Sequence, residues 1–309
     1  MRKHPALLCV DGNNIVHRSF HAYANRDIRD AQGRPAGAIY GLLVTLDKAI
    51  RQAEKIGVPP THLLVAFDPR TCWRHDQYPA YKAGRSETDA DLRDQLNRVG
   101  DVLTACGIPN ACVERYEADD VLASVVTACA AAGGVSVVLS GDRDLLQLVS
   151  ADALVLAPLN GGELKVMNRA AVTEKYSVDS DRYLDLAALR GDKSDNLPGV
   201  SGIGPVKATA LIDAFGSAAE ALAAATSDPQ AVDAAAGKGA SAKMVAGTEN
   251  LERNLKLMAL CRDLDLDVGA YTPQADVAAA GLVEAGFGSM VDKLGAVMAA
   301  MTVRDAFRG

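Results

Sequence analysis

ALLCVDGNN (residues 6–14) runs five apolar residues into Asp11, then into a glycine and two asparagines. An apolar run of this length without alternation fits a strand covered on both faces, as inside a parallel sheet. The pattern returns at HLLVAFD (62–68) and VSVVLSGD (135–142), so three buried strands end on or beside an aspartate: Asp11, Asp68 and Asp142. Between them, GLLVTLDKAIRQAEKIG (41–57) and DLRDQLNRVGDVLTACG (91–107) place apolar residues at helical spacing and stop on glycine. This alternation predicts an α/β fold with a mainly parallel central sheet flanked by helices. Ligands of such sheets sit at the carboxyl ends of the strands. The three aspartates are therefore expected to meet in one acidic site.

The chain has 309 residues, which predicts one large unit or two closely packed ones. Strand signals fade after about residue 176, so the expected division is a core over 1–175 and a helical region over 176–309. An apolar fraction of 49% supplies a core, and no apolar run approaches the roughly 20 residues a membrane helix needs. In MRKHPALLCVDG (1–12), Asp11 breaks the apolar run too early for a signal peptide. The six cysteines form no CxxC pair, and most read as buried thiols in a reducing cytoplasm. The net charge is −7, but nine acids are clustered in the motifs below. The other 30 Asp and Glu stand against 32 Lys and Arg, so a phosphate-rich partner is not excluded.

YEADDVLASVV (116–126) puts Glu117, Asp119 and Asp120 at the start of an apolar helix, with Glu117 and Asp120 on one face at i,i+3. One acid caps a helix; three repel one another unless something positive lies among them. SGDRDLL (140–146) adds Asp142 and Asp144, and RGDKSDNLPG (190–199) adds Asp192 and Asp195. Each of these acids, alone, reads as well as a cap or a turn residue. Together, with almost no His or Cys nearby, they are hard oxygen donors of the kind that select Mg²⁺ or Mn²⁺ over Zn²⁺. Two such ions serve in-line displacement at phosphorus.

LPGVSGIGPVKA (197–208) sets Gly199, Gly202 and Gly204 between helical stretches, with Lys207 following. It reads either as a plain helix–helix turn or as a backbone that closely approaches a phosphate. CWRHDQYPAYKAGRS (72–86) mixes Trp73, Tyr78 and Tyr81 with Arg74, His75, Lys82 and Arg85 and lacks apolar periodicity. Aromatics among cations suit stacked bases and phosphates; the alternative is a solvated surface helix. The Ala-rich stretch 217–243 is weakly helical, and its GKGAS piece (237–241) reads as a mobile loop.

The pieces VDGNN, GAIYG, FD, RH-x-x-YPAYKAGR, YEADDVLAS, SGDRDLLQL and GDKSDNLPGVSGIGPVKA cover most of residues 7–216 in this order, and LVEAGFGSM (282–290) closes the series. Together they resemble the structure-specific 5′ nucleases, and within them the bacterial 5′→3′ exonuclease and flap endonuclease that also forms the N-terminal part of DNA polymerase I. The resemblance implies a PIN-like core with a helical arch at about 72–98, followed by a helix–three-turn–helix. It implies metal-site roles for Asp11, Asp68, Glu117, Asp119, Asp120, Asp142, Asp144, Asp192 and Asp195. It makes Lys82 and Arg85, with Asp120 and Asp142, the catalytic group. It implies DNA contacts from Arg74, Tyr81, Lys82, Arg85, Gly199, Gly202, Gly204 and Lys207, with Tyr81 stacking on a terminal base. Two or more Mg²⁺ or Mn²⁺ ions are the implied cofactors, with a K⁺ at the two-helix element. The implied partner is DNA with a 5′ flap, nick or overhang, or an RNA–DNA hybrid.

The expected activity is divalent-metal hydrolysis of phosphodiesters near 5′ ends, in Okazaki-fragment processing and repair. A free-standing, nucleoid-associated cytoplasmic monomer working beside a polymerase and a ligase is expected. Three other readings stand beside it: a PIN-type ribonuclease, a non-catalytic binder of branched DNA, and a metal-dependent phosphatase.

Overall fold

The computed structural model describes residues 4–306, so Met1–Lys3 of the N-terminal segment lie outside the described residues. β1 (Ala6–Asp11) and β2 (His62–Phe67) are the first two apolar runs. Between them lie α1 (Gly12–Tyr23) and α2 (Gly37–Lys55). A short α3 (Trp73–Gln77) and the long α4 (Ala90–Ala105) lead to β3 (Asn110–Cys112). α5 (Ala118–Ala131) then precedes β4 (Val135–Leu139). β5 (Ala153–Pro158) and β6 (Leu164–Met167) complete a six-stranded sheet of order β3-β2-β1-β4-β5-β6. Only β6 runs antiparallel, against β5. The mainly parallel sheet expected from the sequence is therefore present.

The strands alternate between two cores. Leu7, Cys9, Leu64, Ala66 and Val138 face one side, with α5. Leu8, Val10, Leu63, Val65, Val137 and Leu139 face the other, with α1, α2 and α4. Burial on both faces explains why these strands read as unbroken apolar runs. From β1, the chain reaches β2 over one face, whereas α5 delivers β4 to the opposite side of β1 over the other. The site thus lies at the switch point between β1 and β4. Register keeps the ends level, with Asp11 opposite Ala66 and Val10 opposite Leu139.

A helical unit follows: α6 (Arg169–Tyr176), α7 (Tyr183–Arg190), α8 (Pro205–Phe215), α9 (Ala218–Ser227), α10 (Pro229–Ala236), α11 (Ala240–Ala246) and α12 (Thr248–Met258). Ser217 and Asp228 cap α9 and α10, so the Ala-rich stretch forms regular helices. The GKGAS piece differs from the mobile loop expected. The Asp233 carboxylate accepts from the Gly239 and Ser241 N–H groups at 2.8 and 2.9 Å and pins it.

Residues after 274 do not stay with that unit. α13 (Ala275–Glu284) and α14 (Ala296–Ala306) return to the core of the sheet domain, burying Leu282, Phe287, Met290, Leu294 and Met298 beside α2 and α4. The region 176–309 is thus two pieces of packing. The segment 72–98 is also no continuous helical arch. It comprises α3, a series of turns at 79–84, an extended link and the start of α4.

Candidate active site

Asp11, the last residue of β1, accepts the Asn14 N–H at 3.0 Å and so caps α1. Its other oxygen accepts the Ser140 hydroxyl at 2.7 Å. Asn13 accepts the Asp68 N–H at 3.1 Å, and Asn14 accepts the Gly141 N–H at 2.9 Å. These two asparagines stitch together the ends of β1, β2 and β4. In the sequence they stand within VDGNN with nothing to mark this role. Asp68 in turn accepts the Ala118 N–H at 2.8 Å, at the start of α5. Capping and clustering are therefore both true of these acids.

The carboxylates line two adjoining cavities. The larger, about 180 Å³, has Asp11, Asp68, Asn13 and His17 on its wall. The smaller, about 20 Å³, has Asp144, Asp195 and Tyr81. Lys82, Glu117, Asp119 and Asp142 belong to both. Among the described residues, no three Asp, Glu, His or Cys side chains already close on a single point as ion ligands. The acids instead form a ring, balanced by cations. Lys82 Nζ donates to Glu117 Oε1 at 2.5 Å, Arg85 to Asp195 at 2.8 Å and Arg143 to Asp192 at 3.2 Å. The Arg143 partnership was not expected from the sequence, although GDRD placed the arginine between two of the acids.

Crowding shows in the protonation equilibria. Burial, then Asp68, pushes Asp11 up to about 7. Burial, then Asp142, Asp195 and Asp192, does the same to Asp144. Burial and the neighbouring Asp142, Asp11 and Asp68 also push Asp119 well up. Asp68 and Asp142 are raised mainly by burial. Glu117 goes the other way: burial opposes its charge, but Lys82 and Arg74 outweigh burial and hold it below the usual range. Acids raised by burial and then by mutual repulsion form an oxygen-only donor set that is stabilised by added positive charge.

Three assignments from the sequence change here. Asp120 is fully buried and faces away from the cavities. Its two oxygens accept Arg74 Nη1 and Nη2 at 2.6 and 2.8 Å, and the Cys261 N–H adds a bond at 3.0 Å. It is a partner of Arg74 rather than an ion ligand or catalytic group. Arg74, only 3% exposed, is consequently closed to DNA. Tyr81 is 5% exposed, and its hydroxyl donates to Glu117 at 3.0 Å and Asp195 at 3.1 Å. It cannot stack on a base there; it orients two acids. The physical reason is shared. These residues are buried by hydrogen bonds between carboxylates and their donors, which leave no apolar period in the sequence.

Lys82 and Arg85 do meet the acids. Lys82 holds φ at +57°, the left-handed region, fixed by its N–H donating to the Asp195 carbonyl at 3.0 Å. Asp192 and Asp195 flank a turn closed by the antiparallel pairs Gly191–Pro198 and Asp192–Leu197. Gly199 is required by packing: a Cβ there would lie 2.3 Å from the Arg190 carbonyl carbon. Gly202 sits at φ +77° in the turn, while Gly204 is the N-cap of α8 and faces open space. Lys207 lies in the first turn of α8.

Residues 6–177 match the family model described as 5′-3′ exonuclease, N-terminal resolvase-like domain, and 178–277 match its C-terminal SAM fold. The chain belongs to the 5′–3′ exonuclease family. The family makes it an enzyme, a nuclease. DNA polymerase I of Mycobacterium bovis is 38% identical over 274 residues, covering 88% of this chain and 28% of that protein. DNA polymerase I of Bacillus caldotenax is 34% identical, covering 93% and 32%. The chain thus spans about a third or less of the length of these relatives. Among solved structures, T5 5′-exonuclease with bound zinc has a TM-score of 0.64 at 21% identity, covering 96% of this chain and 99% of that one. Human GEN1 with Holliday junction DNA has a TM-score of 0.59 at 15% identity, covering 96% and 72%. At these identities the structural likeness speaks for the exonuclease fold: a resolvase-like, PIN-like sheet and a helical SAM-fold unit.

Proposed function

We propose that the ring of carboxylates hydrolyses DNA phosphodiesters near 5′ ends, at flaps, nicks or overhangs. One observation carries the reading: Lys82, Glu117, Asp119 and Asp142 are common to two adjoining acidic cavities, with Asp11 and Asp68 on one side and Asp144 and Asp195 on the other. The oxygen-only donors fit a pair of hard divalent ions. Asp11, Asp68, Glu117, Asp119 and Asp142 would hold one, and Asp142, Asp144, Asp192 and Asp195 the other. Bound there, such ions supply charge neutralisation and Lewis acidity.

The chain's own residues do the rest. The scissile phosphate enters between Lys82 and half-exposed Arg85, whose charges stabilise its developing negative charge. Tyr81 orients Glu117 and Asp195. Gly202, Gly204 and the α8 N-terminus with Lys207 hold duplex backbone through N–H groups and charge, without reading bases. The likeness to DNA polymerase I supports a setting in Okazaki-fragment processing and repair, beside a polymerase and a ligase.

The test is a 5′-flap duplex labelled at either end, incubated with EDTA, Mg²⁺ or Mn²⁺, with and without K⁺. Products cut at or within a nucleotide or two of the junction, only with a divalent ion, are expected. Binding without product under every ion would overturn the reading in favour of a DNA-binding protein. Preferred cleavage of an RNA strand would shift the substrate class.

A further inference from the structure

Arg74 has a partner for each guanidinium nitrogen. Nε donates to the Leu257 carbonyl at 2.7 Å. Nη1 donates to Asp120 at 2.6 Å and Glu117 Oε2 at 3.1 Å. Nη2 donates to Asp120 at 2.8 Å and the Ala259 carbonyl at 3.2 Å. The guanidinium carbon lies 4.6 Å from the Trp73 ring centroid. One buried cation thus joins α3, the first turn of α5 and the segment by which the chain leaves α12.

That exit segment is clasped further. Asp120 accepts the Cys261 N–H at 3.0 Å, the Ser124 hydroxyl donates to the Cys261 carbonyl at 3.2 Å, and Gln147 donates to the Met258 carbonyl at 2.9 Å. α12 also grips the turn that the proposed function assigns to duplex backbone. Asn254 Nδ2 donates to the Ala188 and Pro198 carbonyls, both at 3.0 Å. Arg253 donates to the Pro198 carbonyl at 3.2 Å, with its guanidinium carbon 4.7 Å from the Tyr78 ring centroid. A continuous chain of contacts therefore runs from Pro198 through α12 and Arg74 to Glu117.

We propose that Arg74 is a positioning residue that couples the seating of duplex DNA at the 197–204 turn to the orientation of Glu117 for ion binding. Glu117 Oε1 carries Lys82, and Oε2 accepts both Arg74 and Tyr81, so three donors fix this carboxylate. A planar guanidinium can bind Asp120 with two nitrogens while still reaching Glu117 and two carbonyls; an ammonium cannot. A shift of α12 therefore reaches Glu117 directly through Arg74, whereas the route through Tyr78 and Tyr81 takes one more side chain. The inference rests on reading Glu117 as an ion-holding group.

The experiment is Mn²⁺ binding, followed by the free-ion electron paramagnetic resonance signal, with and without a hairpin-capped duplex that has no 5′ end near the site. DNA affinity in EDTA and circular dichroism are measured on the same samples. In the natural chain the duplex tightens Mn²⁺ binding by about fivefold or more, the low end of typical site-to-site coupling. In Arg74→Lys that tightening falls below about twofold, while DNA affinity in EDTA stays within about threefold. Full tightening in a folded Arg74→Lys protein would overturn the role of Arg74 and leave the metal reading intact. Absence of Mn²⁺ binding by the natural chain would overturn the metal reading itself. If Arg74→Lys does not fold, Asp120→Asn loosens the same guanidinium and carries the same expectation. Failure of both to fold would overturn the proposal in favour of a pair that only stabilises.

Discussion

Asp119 and Asp120 are neighbours in sequence with opposite fates. Adjacent helical residues point about 100° apart, so one faces the cavities and the other faces Arg74. The i,i+3 relation between Glu117 and Asp120 was legible in the sequence, and Arg74 does touch both. Which face looked at the site was not legible, because Arg74 comes from a segment without period. Asp142→Asn is expected to abolish flap cleavage while DNA affinity stays within about tenfold. Asp120→Ala should cost about 3–5 kcal/mol of stability, since it strands a buried guanidinium. A urea midpoint close to the natural one would contradict that burial.

The raised acids make a pH prediction at the same scale. Asp11 and Asp144, at about 7 when folded against an ordinary 3.8, bind protons more tightly in the native state than in the unfolded one. Native stability in EDTA therefore declines as pH rises from about 4 to about 7. Glu117, held low, contributes oppositely at the acid end. Melting temperatures at pH 5 and 7.5 should fall with pH in EDTA, and Mn²⁺ should remove most of the fall. A rise in EDTA would show that the ring does not repel itself.

At the scale of elements, the three strands and their terminal acids were the most readable part. Burial on both faces writes itself as an apolar run, and the sheet delivers whatever follows to one edge. The turn at 197–204 was readable as glycine-rich but not as to which glycine does what. Gly199 answers to the Arg190 backbone, whereas Gly204 faces open space. Gly199→Ala should therefore unseat the turn, lowering both thermal stability and duplex affinity. Gly204→Ala has room for its methyl and should leave stability nearly unchanged. Lys207→Ala should lower the slope of log affinity against log salt by about 1, uniformly across DNA sequences. An unchanged slope would remove Lys207 from the backbone contact.

For the whole molecule, the sequence marked the change from mixed to helical structure near residue 176 but not the return. LVEAGFGSM (282–290) closes the series of motifs but does not tell its partner, because the apolar side chains of 275–301 fill space against α2 and α4 and need only volume. Ending the chain at residue 274 would bare the face now covered by Leu282, Phe287, Met290 and Met298. Such a variant should bind a hydrophobic dye and aggregate, although every carboxylate of the ring remains. A monodisperse, active truncation would show that the tail is dispensable to the sheet.

That return also decides how the molecule answers to force. β1 and the tail are seated on the same body, and the helical unit between them packs on the other side of that body, beside α5 and the exit from α12. A pull applied between residue 4 and residue 301 loads the tail's seat against α2 and α4 first. Until that seat peels away, the unit built from α6 to α12 carries no tension, and in an optical trap it should yield only as a later, separate step.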